Sequence, residues 1–222
     1  MSHSCRSGQH WLVLVEPGYY RRYSRLRNQL PMSIARNILM HMFGRPRGMP
    51  GRLGGVIMAS MNEPFAAWVI GLLDIQPDDK VLEVGFGPGA GIALLAKSVS
   101  RGCIAGVDAS TEMAGQAKAR NAEAIESGRV DLRYGLAETL PFGNDTFTKA
   151  LAINSMQAWP CPMAGLREMQ RVMVPGGRIA LGFTSHSGQS KEGVPGMLAA
   201  AGFTEAHVVE SAKGFCALAL KP

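Results

Sequence analysis

The chain has 222 residues, 46% of them hydrophobic, and a formal net charge of +6. This length suits one α/β domain with a modest appendage, and no apolar run approaches the about 20 residues that cross a bilayer. The four cysteines are scattered without a C-x-x-C pair, which supports neither a zinc site nor a dithiol redox motif and suits a reducing compartment. We therefore expect a soluble, cytoplasmic protein.

The positive charge is concentrated at the start of the chain. Residues 1–52 carry nine arginines, no lysine and a single acid, Glu16, whereas the remainder has 14 basic and 16 acidic residues. Such a segment can contact an anionic membrane surface, a nucleic acid or an acidic substrate, and it can also be a solvated helical face. Two further interpretations are a transit peptide and an upstream extension that precedes a natural start at Met32.

The first predicted elements lie in and just after this segment. Apolar residues at helical spacing predict a short amphipathic helix over residues 34–43, and a stretch rich in Gly, Pro and Arg predicts a loop to residue 55. Asn62, Glu63 and Pro64 are a strong helix start, and we expect this helix to end near residue 73. The chain therefore divides into an Arg-rich N-terminal extension, residues 1–61, and a domain over residues 62–222.

Strands and helices alternate through that domain. Predicted helices cover residues 92–96, 110–126, 163–173 and 194–201. Predicted strands cover residues 81–84, 102–108, 129–133, 146–153, 178–183, 205–210 and 214–220, with a tight Pro-Gly-Gly turn before the fifth. This order predicts a doubly wound, Rossmann-like α/β fold. We expect a mostly parallel seven-stranded sheet with an antiparallel terminal strand, preceded by a helical N-terminal extension.

A glycine turn joins the first of these strands to its helix. Glycines stand at positions 85, 87, 89 and 91, and the helix that follows offers unpaired N–H groups to a nucleotide-type ligand. Gly85, Gly87 and Ala90 also fit the loose dinucleotide pattern G-x-G-x-x-A, so a nicotinamide cofactor stays open on the glycines alone. Glu83 argues against it, because a carboxylate inside the strand favours a ligand with an ammonium and a sulfonium over a diphosphate.

Three later segments accompany the E-x-G-x-G-x-G pattern of residues 83–89. Residues 134–142 read Y-G-L-A-E-T-L-P-F, residues 145–147 read D-T-F, and residues 166–177 read L-R-E-M-Q-R-V-M-V-P-G-G. Together they resemble the small-molecule class I S-adenosylmethionine (SAM)-dependent methyltransferases of the ubiquinone/menaquinone-biosynthesis type, with a type 11 methyltransferase domain. That family reads G-D-A-E-x-L-P-F, x-D-x-F-D and L-x-E-x-x-R-V-L-x-P-G-G. The resemblance covers residues 73–183.

The resemblance implies a set of cofactor contacts. Glu83 and the backbone of residues 85–89 would hold the methionine part of SAM, and Asp108 would accept hydrogen bonds from the ribose hydroxyls, a role that a nicotinamide cofactor would also give it. Leu136 stands where the family usually has an aspartate on the adenine amino group, so backbone and apolar contacts would hold the adenine. The implied cofactor-binding residues are Glu83, Gly85, Phe86, Gly87, Gly89, Asp108, Ala109, Leu136, Ala137, Glu138 and Asn154.

The acceptor side is less defined. Asn154 would face the substrate, and we expect Met61, Gln157 and Trp159 to wall its pocket, although Trp159 and Cys161 also suit packing beneath the next helix. Residues 154–157 are not N-P-P-Y, and Cys161 lies too far beyond Asn154 to match the nucleophile of RNA cytosine methyltransferases.

No residue is marked as a general base. His186 lies in a polar loop after the fifth strand, where substrate loops usually are. Tyr19, Tyr20 and His41 become candidates if the N-terminal extension folds over the pocket as a lid.

The expected function is transfer of a methyl group from SAM to an O, N or C atom of a small molecule. This acceptor can be a lipid- or quinone-like molecule. The transfer is an in-line displacement that leaves S-adenosylhomocysteine (SAH) as the product. Alternatives are an RNA methyltransferase that uses the arginines, a SAM-binding protein without activity, and a nicotinamide oxidoreductase. We expect a small-molecule partner, peripheral contact of the arginines with an anionic membrane, and neither nucleic acid nor a metal.

Overall fold

The computed structural model describes residues 63–222. The extension, the predicted helix over residues 34–43 and the cap at Asn62 lie outside the described residues. In the described part, a helix over residues 63–72 (α1) comes first. The helices after it are α2 Ala90–Ser98, α3 Thr111–Arg120, α4 Ala122–Glu126, α5 Pro162–Val172 and α6 Val194–Ala200. The strands are β1 Lys80–Val84, β2 Cys103–Asp108, β3 Val130–Tyr134, β4 Phe147–Ile153, β5 Met173–Thr184, β6 Thr204–Ser211 and β7 Gly214–Leu220.

The seven strands form one sheet in the order β3-β2-β1-β4-β5-β7-β6. Strands β1 to β5 run parallel, and β7 is antiparallel to both of its neighbours, β5 and β6. The predicted fold class is therefore confirmed for the described residues. The last strand does not form an edge, because the β6–β7 hairpin places β7 beside β5 and leaves β6 outside.

Both faces of the sheet are covered, as the continuous apolar runs of the central strands require. On one face α5 and α6 bury Leu166, Met169 and Leu198. On the other face α1, α2 and α3 pack together. The predicted inward side of α1 is confirmed, since Phe65 and Val69 are buried there and Trp68 and Leu72 pack against the same cluster.

The predicted helix over residues 110–126 is two helices. Ser110 caps α3 as expected, with its Oγ accepting a hydrogen bond from Met113 N at 3.2 Å. The helix then breaks at Asn121, whose φ and ψ of −112° and 22° are not helical. Its buried Nδ2 donates to Gly89 O and to Ala117 O, so the break serves a contact with the glycine loop.

The Pro175-Gly176-Gly177 turn is a bulge inside a longer strand. The partners of β4 on β5 jump from Met173, opposite Phe147, to Arg178, opposite Lys149, so the Pro-Gly-Gly segment is the extra length. Gly176 N donates to Lys221 O at 2.8 Å, and Lys221 N donates to Gly177 O at 2.9 Å. These two bonds with the end of the chain allow β5 to continue through the bulge.

Candidate active site

The crevice at the carboxyl ends of β1 and β4 lies where the strand order reverses. From β1 the chain continues to β2 and β3 on one side, and from β4 it continues to β5 on the other side. Ligands of open α/β sheets bind at such a reversal point. Ser155, directly after β4, donates its hydroxyl to Val84 O at 2.7 Å. A Cβ built on Gly85 would overlap the Ser155 side chain, so only glycine allows the two strand ends to approach this closely.

The glycine loop has a backbone that side chains rarely allow. Gly85, Gly87 and Gly89 have φ of 79°, 52° and 79°. A Cβ added to Gly87 would meet no described atom within 4 Å. The loop therefore exposes backbone next to open space, as a turn that approaches a ligand requires.

The end of helix α3 and the residue after it are hydrogen-bonded to this loop. Arg120 Nε donates to Pro88 O at 3.1 Å, and Asn121 Nδ2 donates to Gly89 O at 3.1 Å. Sequence reasoning missed both residues, together with Ser155. The one local signal was Asn121, a poor helix former in the interior of a predicted helix.

Glu83 is a buried carboxyl beneath the start of α2. The residue is 3% exposed, and its Oε2 has no hydrogen-bond partner in the described part of the chain. Gly91 borders it so closely that a Cβ there would lie 2.7 Å from Oε2. Burial, and secondarily the charge of Asp108, raise the pKa of Glu83 to about 8. A cationic ligand group at this point would provide the charge partner that residues 63–222 do not supply.

Asp108, at the end of β2, is tied to the glycine loop. Its Oδ2 accepts a hydrogen bond from Gly87 N and its Oδ1 accepts one from Ser110 N, both at 2.8 Å. Burial raises the pKa of Asp108, and the two N–H donors partly oppose that rise. Each oxygen keeps a second lone pair, so the carboxylate can hold the loop and still accept a ribose hydroxyl.

Beyond β3 the chain presents apolar surface. Leu136 is 46% exposed and Tyr134 is 64% exposed, and in the described part these are the exposed large hydrophobic side chains. Tyr134 pairs with Asp108 in the sheet, which places both strand ends at the same edge of the crevice. Ala137 is buried, and Glu138 Oε1 accepts a hydrogen bond from Cys161 N at 2.9 Å. Tyr134 was not anticipated from the sequence as a site residue.

The segment after β4 is largely occupied by contacts within the protein. Asn154 has a φ of 50°, and its Oδ1 accepts hydrogen bonds from Thr184 N at 2.9 Å and Thr184 Oγ1 at 3.2 Å. Gln157 is exposed on a short 3₁₀ helix, Met156–Ala158. Trp159 is half-buried against α5, where a Cβ on Gly165 would lie 2.6 Å from its ring. This contact fits the packing alternative for Trp159, and its role in a pocket stays a prediction.

The candidates for a general base remain untested. His186 is exposed, with its Nδ1 at 2.8 Å from Ser185 Oγ. Met61, Tyr19, Tyr20 and His41 lie outside the described residues. Across residues 63–222 no group of three or more His, Cys, Asp or Glu side chains is arranged to hold a metal ion. In the same range no helix combines the length and apolarity needed to cross a membrane.

Comparisons with known proteins agree with this geometry. Residues 81–177 match the sequence model of a methyltransferase domain. The uncharacterized methyltransferase YdaC of Bacillus subtilis (strain 168) is 31% identical over 129 residues, which are 58% of this chain and 69% of YdaC. The chain belongs to the methyltransferase family.

This methyltransferase is also similar to an enzyme of quinone biosynthesis and to a solved structure. The ubiquinone/menaquinone biosynthesis C-methyltransferase UbiE of Geotalea daltonii is 26% identical over 130 residues, 58% of this chain and 55% of UbiE. The crystal structure of a SAM-dependent methyltransferase from Aquifex aeolicus has a TM-score of 0.64 at 21% identity, covering 71% of this chain and 89% of that one. The family, fold and cofactor class expected from the sequence are thereby confirmed, and the roles of the individual site residues stay predictions.

Proposed function

We propose that this methyltransferase binds SAM at the carboxyl ends of β1 and β2 and methylates a small molecule held beyond β4. The observation that supports this most is the unpartnered Glu83 Oε2 beside an open glycine loop. A buried carboxyl with no cation nearby is unfavourable when ionised, so its presence is explained by a ligand that brings positive charge. SAM carries an ammonium and a sulfonium, whereas a nicotinamide dinucleotide brings a diphosphate to the glycine loop.

The residues present fit SAM in three places. Glu83 and the N–H groups of the glycine loop would hold the methionine end, and Asp108 would hold the ribose. Leu136 would contact the adenine through apolar surface and Ala137, whose side chain is buried, through its backbone, with Tyr134 as an additional contact that the sequence did not suggest. The exposure of Leu136 and Tyr134 supports this, because a bound ring would remove both from water.

When bound, SAM supplies a methyl group already activated on a positively charged sulfur. The task of this chain is therefore to orient the two reactants and exclude water. The Ser155–Val84 and Asn154–Thr184 bonds hold the carboxyl end of β4 against β1 and β5 on the acceptor side. The amide nitrogen of Asn154 would face the acceptor, because its oxygen is bonded to Thr184.

For the acceptor we propose a small, largely apolar molecule of the quinone- or lipid-like kind. The name of the UbiE relative and the apolar surface of Trp159 support this class. In the same proposal, residues 1–61 take part in recognition of the acceptor. Their arginines would contact an anionic membrane where such acceptors dissolve.

Calorimetry with SAM, SAH and NADH tests the donor half of this proposal. We expect one molecule of SAM or SAH bound per chain and no heat from NADH. A screen of quinol, phenol, amine and lipid acceptors, read by SAH release, tests the acceptor half. Binding of NADH without binding of SAM would contradict the proposal. SAH release that requires RNA would replace the small-molecule acceptor by a nucleic acid.

A further inference from the structure

The loop between β3 and β4, residues 135–146, lies along α5 and is bonded to the last turns of that helix. Arg171 donates to Leu140 O at 3.1 Å and to Phe142 O at 2.9 Å. Glu168 pairs with Arg171 at 2.7 Å and accepts a hydrogen bond from Leu140 N at 2.9 Å. These contacts fix the far half of the loop, residues 140–142, to the end of α5.

A separate bond joins the near half of the loop to the beginning of α5. Glu138 Oε1 accepts the hydrogen bond of Cys161 N, and Cys161 is the residue that immediately precedes α5. Between these two ends the Trp159 ring packs against Gly165, next to Ala137. The donor-side residues 136–138 and the acceptor-side residues 157–161 therefore share one packed unit.

We infer that Glu138 is a positioning residue that sets the donor-side residues 136–138 and the acceptor-side residues 157–161 against one another through the Cys161 amide. This inference rests on the proposed function. The first N–H groups of a helix have no partner within the helix and carry partial positive charge, so a carboxylate oxygen is their strongest neighbouring acceptor. Without it, the contacts between residues 157–161 and residues 136–138 within the described part of the chain are apolar.

This role differs from the one implied by the resemblance, in which Glu138 lies beside the adenine. The two are separable because Gln keeps a carbonyl oxygen for Cys161 N but removes the negative charge. Glu138→Ala removes both, and Glu126→Ala is the matched control, since Glu126 is exposed at the end of α4. Should Glu138→Ala not fold, Glu138→Asp, whose carboxyl reaches one methylene less far, takes its place.

Two measurements on the full chain distinguish these outcomes. Hydrogen exchange without cofactor should be about tenfold faster at residues 157–164 in Glu138→Ala, and near wild type in Glu138→Gln and Glu126→Ala. Calorimetry should show SAH bound about five- to tenfold more weakly by Glu138→Ala and within about twofold of wild type by Glu138→Gln.

Equal weakening of SAH binding by Gln and Ala would overturn the inference, because the carboxylate would then contact the cofactor itself. Unchanged exchange at Cys161 in Glu138→Ala would also overturn it. If the wild-type chain binds neither SAM nor SAH, the proposed function fails, and so does the positioning role of Glu138 in the site. The exchange data would then report only on the Glu138–Cys161 bond.

Discussion

The two sides of the crevice differ in what their polar groups do. On the donor side, residues 83–91 and Asp108, Glu83 Oε2 has no partner among the described residues and Gly87 borders open space. On the acceptor side, residues 154–161, Asn154 and Ser155 direct their oxygens at the backbone of Thr184 and Val84. On the donor side a buried carboxyl oxygen is thus left without a partner in the described part of the chain, whereas on the acceptor side the polar side chains stabilise the sheet.

This difference teaches why the donor is easier to identify than the acceptor. A donor with fixed charges requires buried polar groups without a protein partner and glycines with positive φ, and both features are visible in the sequence and the structure. An acceptor recognised mainly by shape and apolar contact requires neither feature. Substitutions on the donor side should therefore change cofactor affinity most. Substitutions in α5 and the loop bonded to it should change the free energy of unfolding most.

The largest expected effect is that of Gly91→Ala. The new methyl group would overlap the Glu83 carboxyl and displace it, although alanine is the better helix former at this position. We expect SAH affinity to fall at least about 100-fold, which corresponds to about 2.7 kcal/mol, with the fold retained. Calorimetry and circular dichroism measure the two quantities, and SAH binding within about threefold of wild type would show that Glu83 can move without consequence.

Glu83→Gln should separate binding from stability through pH. Because the pKa of Glu83 is raised from 4.5 to about 8, the folded chain holds a proton that the unfolded chain loses, and the free energy of unfolding falls as pH rises between these values. Gln removes this loss, so the variant should match wild type near pH 5 and exceed it by on the order of 3 kcal/mol at pH 8. Asp108 is present in both proteins, so the difference isolates Glu83. SAM affinity should nevertheless fall at least about tenfold, because the amide carries no charge.

Urea unfolding at pH 5, 6.5 and 8, paired with SAM calorimetry, checks both parts. Parallel stability profiles for the two proteins would contradict the account of Glu83. Unchanged SAM affinity would place the cofactor charge elsewhere.

Arg171→Gln should act mainly on stability. Its guanidinium donates hydrogen bonds to two loop carbonyls and to the Glu168 carboxylate. The bond to Glu168 lowers the pKa of that carboxyl, and both side chains of this ion pair are partly exposed. We expect a loss of about 1–2 kcal/mol at pH 7. Because the pKa of Glu168 is lowered in the folded chain, this difference should narrow as pH falls below its ordinary value of 4.5. Chemical denaturation measures it, with Arg167→Gln as the exposed control on the same helix. A larger effect on SAH affinity than on stability would reverse the distinction between the two sides.

The smallest effect is expected for Gly115→Ala on α3. A Cβ there would meet no described atom within 4 Å, and the residue is exposed within a helix. Helix propensity predicts a gain of about 0.5–1 kcal/mol, with SAH binding unchanged. Thermal unfolding measures the gain, and lost binding here would mean that the outer face of α3 takes part in the site.

Much of this arrangement is readable from the residues. The apolar runs and their glycine and proline boundaries predict seven strands in a mostly parallel sheet, and Glu83 with its four glycines predicts the donor side. The place of β7 between β5 and β6 was not predicted. Ser155 and Arg120 could not be predicted, because their bonds reach Val84 and Pro88, 71 and 32 residues away, and no local pattern encodes them. The β5 bulge was missed for the same reason, since its bonds are to the far end of the chain.

The central claim is that the unpartnered Glu83 carboxyl and the glycine loop form a SAM site. Calorimetric titration of wild type, Gly91→Ala and Gly115→Ala with SAH tests it most directly. The account predicts one SAH per chain for wild type and Gly115→Ala, with binding lost in Gly91→Ala. Equal binding by all three proteins, or binding by none, would contradict it.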